Sequence, residues 1–215
     1  MRIIHIIRHI LNKLRVSNIR EQRALRAFLS VDLRERDVAI DCGANVGNIT
    51  EELCRHGATV YAFEPNPHAY RRLKERFSEI ENVHCIPKGV YDRNDTVKLY
   101  LHENSGQDEL HWSTGSSMLD VKNNVLKEKF VETPVVDLSE FVESLGEKVK
   151  ILKLDVEGVE CRIVTRLIKT GVIHKIDHVF VETHDHKTPS LKRETDDLKK
   201  LIKSERIKNV NLHWR

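Results

Sequence analysis

The chain has 215 residues, the length of one ordinary domain with its own buried core. Hydrophobic residues make up 40% of it and charged residues 32%, a balance that excludes a disordered or a membrane-embedded chain. The formal net charge of +3 is nearly neutral for this length, so composition gives no argument for nucleic-acid binding.

Cysteine usage and hydropathy indicate a compartment. The four cysteines show no CxxC spacing and fall inside predicted strands and helices, which favours reduced thiols over disulfides or a zinc site. No apolar run approaches the ~20 residues that cross a bilayer. His5, Arg8 and His9 interrupt the apolar N-terminus, which therefore does not match a signal peptide. We expect a cytoplasmic protein.

The first 36 residues form a basic segment, with nine Lys or Arg residues against three acids. Apolar residues at helical spacing predict one helix over residues 3–14 and a second over 18–30. We expect the first helix to pack over the main domain. Its apolar-plus-basic pattern also suits peripheral membrane contact through residues 1–15, and its apolar stripe suits a homodimer surface. We place an N-terminal helical extension at 1–36 and a Rossmann-like methyltransferase domain at 37–215.

Strands and helices alternate along most of the remaining chain. Predicted strands cover residues 38–41, 59–63, 83–90, 149–154, 178–182 and 210–212. Predicted helices cover 46–56, a segment that begins at Pro67 with Asn66 as its cap, 158–170 and 190–203. This alternation predicts an α/β fold with a doubly wound, mostly parallel sheet. Residues 91–136 break it with two alternating segments around a polar loop, which predicts an antiparallel insertion.

The glycine-containing turn after the first strand reads DCGANVG, residues 41–47. It lacks two of the three glycines of the dinucleotide fingerprint, and Asp41 would repel a pyrophosphate. S-adenosylmethionine has no phosphate and carries two positive groups, so Asp41 would hold its ammonium. Gly43 and Gly47 would let the turn approach the methionine and ribose portions. The turn therefore favours S-adenosylmethionine over NAD.

An acid also ends the second strand, because Glu64 lies 23 residues after Asp41. Nucleotide-binding α/β folds place an acid there on the ribose hydroxyls. Its two oxygens suit a vicinal diol as a bidentate pair. The structural alternative is that Asp41 and Glu64 only cap helices. Capping, however, does not require an acid at each of two adjacent strand ends.

Two further polar segments, KLDVEGVE at residues 153–160 and ETHDH at 182–186, follow later predicted strands. Ligands of doubly wound sheets bind beyond the carboxyl ends of the strands, so both segments should face the same crevice as Asp41 and Glu64. Methyl transfer to an alcohol requires the hydroxyl to lose its proton. A His or a carboxylate can take that proton, or a divalent metal can lower the hydroxyl pKa.

These segments supply the candidate catalytic residues. We predict His184 as the base, with Asp155 and Glu182 beside it. Asp155, Glu157 and Glu182 are the candidate ligands of a divalent metal. Glu160 is interpreted as a residue that stabilises the first turn of a helix or pairs with a nearby lysine.

Four ordered motifs, DxGANxG, AFEPNP, LKLDVEGVE and VFVETH, resemble the FkbM-type methyltransferase family over residues 38–186. The resemblance implies a Rossmann-like fold, S-adenosylmethionine as cofactor, and O-methylation of a sugar or small-metabolite hydroxyl, hence a small-molecule or glycan acceptor. It implies cofactor contacts by Asp41, Gly43, Asn45, Gly47, Glu64, Asn66 and Asp92. The segment before Asp92 departs from the family pattern at Tyr91, and the Ser116–Ser117 loop resembles the family's Ser-rich loop.

Three rival functions are less favoured. An RNA ribose methyltransferase would use the basic N-terminal segment on a phosphate backbone, but the chain lacks the interleaved aromatics that stack on bases, so we do not expect a nucleic-acid partner. A non-catalytic cofactor-binding module would have lost the acidic segments, which are intact here. An NAD-dependent oxidoreductase would need the missing glycines.

Overall fold

The computed structural model describes residues 18–102, 125–185 and 188–214, with only the backbone of 101, 102 and 125–129. The predicted helix over 3–14, the membrane contact through 1–15 and the loop with Ser116 and Ser117 lie outside the described residues. The homodimer surface and the division of the chain at residue 36 remain predictions.

The helices of the described residues are mostly short. They are α1 (Ile19–Leu29), α2 (Asn48–Cys54), α3 (Pro67–Arg76), α4 (Leu138–Ser144), α5 (Glu160–Lys169) and α6 (Pro189–Ser204), with a 3-10 turn at Val172–Lys175. The strands are β1 (Val38–Cys42), β2 (Thr59–Phe63), β3 (Val83–Ile86), β4 (Gly89–Tyr91), β5 (Asp95–His102), β6 (Val125–Asp137), β7 (Val149–Leu154), β8 (Ile176–Val181) and β9 (Val210–Asn211).

The main sheet has six described strands in the order β3-β2-β1-β7-β8-β9, and every pair is parallel. The chain winds outward from β1 in one direction and returns to β7 on its other side. Ligands of doubly wound sheets bind at such a switch point, beyond the carboxyl ends of the strands. All five residues of β1 are buried, as expected for a central strand covered on both faces. The predicted fold class is confirmed.

The antiparallel insertion is also present, as a three-stranded sheet in the order β4-β6-β5. β5 runs antiparallel to β6, whereas β4 runs parallel to it. The single strand predicted over residues 83–90 was wrong: Pro87 and Lys88 separate β3, in the main sheet, from β4, in the small one. Proline has no N–H to continue a ladder, so the chain changes sheets there.

Helix α1 packs on the domain core. Its Asn18 cap and Glu21 form a reciprocal capping box, which fixes where the helix begins. The Phe28 ring lies 5.2 Å from that of Phe180 on β8 and 4.6 Å from that of Trp214. Within the described residues, no helix has the length and hydropathy needed to cross a bilayer.

Candidate cofactor and catalytic site

A cavity lies at the switch point of the main sheet, beyond the carboxyl ends of β1, β2 and β7. The small sheet closes it on one side, through β4 and β5. The lining residues are Gly43, Asn45, Phe63, Glu64, Pro65, Asn66, Lys88, Gly89, Val90, Leu99, Asp155, Val156 and Glu157. The predicted residues Gly43, Asn45, Glu64, Asn66, Asp155 and Glu157 are thus brought together.

Gly43 has a positive φ of +76° and lies against the end of β7. A Cβ at this position would overlap the backbone carbonyl oxygen of Asp155. The Gly43 and Ala44 amides both donate to the Phe63 carbonyl, at 3.0 and 2.9 Å. The turn after β1 is therefore clamped between β2 and β7, in a conformation and a space that only glycine fits.

Gly47 shapes the same turn from its far end. Its φ of +86° makes it the cap of α2, so this helix begins at Asn48 rather than at the predicted residue 46. A Cβ on Gly47 would overlap the Phe77 ring at the end of α3. Gly47 is not part of the cavity lining, and its contact is with the neighbouring helix.

Glu64 is the most informative side chain of the cavity. It is only 6% exposed, and its two oxygens accept from the Asn45 amide at 2.7 Å and the Asn66 amide at 2.8 Å. Burial raises the pKa of Glu64 to about 7, against the opposing effect of these two donors. Asn66 caps α3 by accepting from the amides of His68 and Ala69.

Asp41 lies beneath the cavity and not in its lining. Its side chain is fully buried and accepts from the Thr50 hydroxyl at 2.7 Å. The Lys153 ammonium lies 3.2 Å from its other oxygen, Oδ1. The same ammonium donates to the carbonyls of Gly43 at 2.8 Å and Cys42 at 3.3 Å. Asp41 thus supports the turn through Lys153, whereas we predicted that it holds the cofactor ammonium, either directly or through a water.

Lys153 is a buried cation whose environment favours its charge. Burial alone lowers the pKa of a lysine, but the carboxylates of Asp41 and Asp155 outweigh that effect and raise the pKa of Lys153 above its ordinary value. Asp155 Oδ2 lies 3.6 Å from its Nζ. The ammonium therefore links the end of β1 to the cavity-lining Asp155.

Asp92 is not brought to the cavity. It follows β4, and its carboxylate lies 3.2 Å from Arg93. Its neighbour Tyr91 is buried and accepts from Arg162 at 3.0 Å, which directs this segment toward α5. The placement gives no support to the adenine contact that we predicted for Asp92.

His184 lies buried behind three carboxylates. Its side chain is 2% exposed, whereas those of Asp155, Glu157 and Glu182 are 28%, 23% and 20% exposed. Its Nε2 is 3.8 Å from Asp155, 3.4 Å from Glu157 and 3.9 Å from Glu182. An acceptor in the cavity would meet Asp155 and Glu157 before it met the imidazole.

Three of these side chains form a group with the spacing of metal ligands. One ligand atom each from Asp155, Glu157 and His184 lies within 4.8 Å of the other two. Hard oxygen and imidazole donors suit Mg²⁺, Mn²⁺ or Zn²⁺. The donor set therefore fits a divalent cation, with His184 where we had predicted Glu182.

Glu160 lies in the first turn of α5, as predicted, but its contact with His184 was not predicted. It is 2% exposed, it lies 3.0 Å from His184 Nδ1, and it accepts from backbone amides of the turn before α5. These contacts agree with the first-turn alternative, and the partners described for Glu160 are backbone amides and His184 rather than a lysine. One feature of the sequence could have indicated this contact. Glu160 follows Glu157 by three residues, directly after a turn that contains Gly158.

The sequence matches known methyltransferases. The model of the "Methyltransferase FkbM domain" family matches residues 41–206. The hexuronic acid methyltransferase AglP of Haloferax volcanii is 27% identical over 172 residues, which cover 79% of this chain and 65% of that protein. The 2-O-methyltransferase NoeI of Sinorhizobium fredii is 24% identical over 162 residues, covering 69% and 66%. This chain thus spans just under two thirds of each.

A shorter similarity involves a different group of methyltransferases. The probable ribosomal RNA small subunit methyltransferase A of Methanococcoides burtonii is 34% identical over 82 residues. That alignment covers 38% of this chain and 28% of the relative. It is therefore a similarity of one segment and not of the whole domain.

Proposed function

Because the chain belongs to the methyltransferase FkbM domain family, we propose that it is an S-adenosylmethionine-dependent O-methyltransferase that acts on a hydroxyl of a sugar or small metabolite. The two relatives that align over most of the chain bear names that describe methylation of a hexuronic acid and of a 2-O position. The observation that carries the proposal is the buried Glu64 carboxylate, which shares one cavity with the Gly43 turn.

The charge of the cavity supports a cationic cofactor over a dinucleotide. Glu64, Asp155 and Glu157 contribute carboxylates, and Lys88 is the single cation among the described lining residues. The sulfonium and ammonium of S-adenosylmethionine would be attracted to such a lining, whereas a pyrophosphate would be repelled. Each Glu64 oxygen retains acceptor capacity for one hydroxyl of the ribose diol.

The carboxylates also define where the acceptor proton goes. S-adenosylmethionine supplies an electrophilic methyl group on a sulfonium. Asp155 and Glu157 line the cavity, so one of them receives the proton as the acceptor oxygen forms its bond to the methyl carbon. His184 acts from behind them, which changes its predicted role from direct base to partner of the carboxylates.

The methyl-transfer proposal is tested with methyl-labelled S-adenosylmethionine and the full chain. The acceptors are free hexuronic acids, neutral hexose glycosides and a fragment of small-subunit ribosomal RNA. We expect label on a sugar hydroxyl, and its loss in Glu64→Ala. Label that enters RNA and none of the sugars would contradict the proposed substrate class and support the ribose methyltransferase alternative.

Binding of S-adenosylmethionine should depend on the protonation of Glu64. Hydroxyl donors favour the ionised carboxylate, whose pKa is about 7 in the cofactor-free protein. Affinity should therefore fall by about tenfold as the pH drops from 8 to 6. Titration calorimetry at several pH values measures this dependence. Glu64→Gln is the control, because it removes this titration and leaves that of the cofactor's own amino group; a wild-type profile parallel to that of Glu64→Gln would contradict the assignment.

We further propose that Asp155, Glu157 and His184 hold a divalent cation. Such a cation would replace a free carboxylate as the group that activates the acceptor, because it would lower the pKa of the acceptor hydroxyl itself. The proposal rests on the donor set and its spacing.

Chelation of divalent metals should then reduce methyl transfer by the full chain, and added Mg²⁺ or Mn²⁺ should restore it. Asp155→Asn should weaken Mn²⁺ binding in the cofactor-free protein, measured by electron paramagnetic resonance. Glu194→Gln is a control of similar exposure, because its carboxylate pairs with Arg162 on the surface. Methyl transfer that is indifferent to chelation, together with no Mn²⁺ binding, would contradict a metal role.

A further inference from the structure

The turn between β7 and α5 fixes the Glu160 carboxylate by its backbone. Glu160 Oε1 accepts from the amides of Val156 at 2.9 Å and Gly158 at 3.1 Å. The Gly158 amide also lies 3.0 Å from Oε2. Gly158 and its neighbour Glu157 both have positive φ, at +128° and +65°, so the turn folds back over this side chain. The carboxylate consequently has little freedom to rotate.

The His184 ring packs against this fixed carboxylate. Its Nδ1 lies 3.0 Å from Glu160 Oε1, and both side chains are 2% exposed. A carboxylate can only accept, so Nδ1 carries a proton in this pair. The opposite nitrogen, Nε2, then points at Asp155 and Glu157, the two carboxylates that line the cavity. Glu182 also lies 3.9 Å from Nε2, so the imidazole is held between one inner acid, Glu160, and three outer acids.

We propose that Glu160 is a positioning residue, which keeps a proton on His184 Nδ1 and directs Nε2 of the ring at Asp155 and Glu157. A carboxylate on one imidazole nitrogen fixes both the tautomer and the ring orientation, and makes the other nitrogen a better base or ligand. The effect on catalysis rests on the proposed methyl transfer. The orientation of the ring is a property of the protein alone and can be measured without activity.

Glu160→Gln in the full chain tests the proposal with two readouts. The amide is a weaker acceptor, so kcat should fall by about 10- to 100-fold while the KM for S-adenosylmethionine stays unchanged. The ¹⁵N NMR signals of the His184 ring should show a fully protonated Nδ1 in the wild type and a partly deprotonated Nδ1 in the variant.

Asp137→Asn is the matched control. Asp137 is also a buried carboxylate at a helix start, where it accepts from the amides of Ser139 and Glu140 and pairs with Arg166. The Asp137→Asn variant should be less stable than the wild type, but its His184 signals should not change. A Glu160→Gln variant with the kcat and His184 signals of Asp137→Asn would overturn the proposal.

The wild-type spectrum decides the question if Glu160→Gln does not fold. A His184 ring protonated only at Nε2 would overturn the proposal by itself. Absence of any methyl transfer by the wild type would contradict the proposed function, and a loss of the Nδ1–H form in Glu160→Gln would still support the role of Glu160 in holding the ring.

Discussion

Lys153→Met is expected to lower the free energy of unfolding by about 3–5 kcal/mol, because it leaves a buried carboxylate without its cation. Asp41 and Lys153 are paired neighbours across β1 and β7, and Asp41 is fully buried. The ammonium also donates to the carbonyls of Cys42, at the end of β1, and of Gly43, in the turn that follows, and both would lose that partner. Urea denaturation of the full chain measures the change.

Two further variants distinguish the loss of the Asp41–Lys153 pair from a general effect of a substitution on β7. Lys150→Met places the same substitution on β7, where the partly exposed Lys150 pairs with Asp177, and should change stability by about 1 kcal/mol or less. Asp41→Asn combined with Lys153→Met removes both charges and should recover part of the loss. Equal effects of Lys150→Met and Lys153→Met would refute the bracing role of Lys153.

Gly43→Ala should abolish cofactor binding and destabilise the domain more than any exposed glycine substitution. An alanine forced to positive φ costs about 1–2 kcal/mol wherever it stands. At Gly43 the new methyl group also overlaps the Asp155 carbonyl, so the ends of β1 and β7 must separate. That separation displaces Asp155 from the cavity and disturbs the turn that donates to Glu64.

Gly146→Ala is the matched control for this prediction. Gly146 has a similar φ of +70°, and nothing lies within 4 Å of its added Cβ. The difference between the free energies of unfolding of the two variants, measured by chemical denaturation, therefore gives the cost of the steric overlap between β1 and β7. The prediction fails if both variants lose the same stability and Gly43→Ala still binds S-adenosylmethionine like the wild type.

Local signals in the sequence predict the scaffold well. β1, β2 and β7 are short apolar runs between turn residues, and the cap Asn66 followed by Pro67 marks the start of α3. The break between β3 and β4 was missed because Val90 continues the apolar pattern past Pro87. α2 begins later than predicted because Gly47 adopts a left-handed conformation, which sequence periodicity does not reveal.

The sequence predicts a site residue where its role depends only on its position at the end of one strand. Glu64 ends β2 and reaches the cavity for that reason. The Asp41–Lys153 pair joins residues far apart in the chain, and its existence depends on the register of β1 against β7. Likewise, Glu160 meets His184 only because the turn before α5 folds back toward the end of β8. Asp92 is not part of the cavity lining, because it lies past the end of β4, where its carboxylate pairs with Arg93.

Equilibrium binding of S-adenosylmethionine to the full chain tests the central claim most directly. Titration calorimetry at pH 8 should show saturable binding, weaker binding of NAD, and an affinity reduced by about 10- to 100-fold in Glu64→Ala, the loss expected for hydrogen bonds to a charged group. Absence of S-adenosylmethionine binding, or a preference for NAD, would contradict the assignment of the cavity and with it the roles of Asp155, Glu157 and His184.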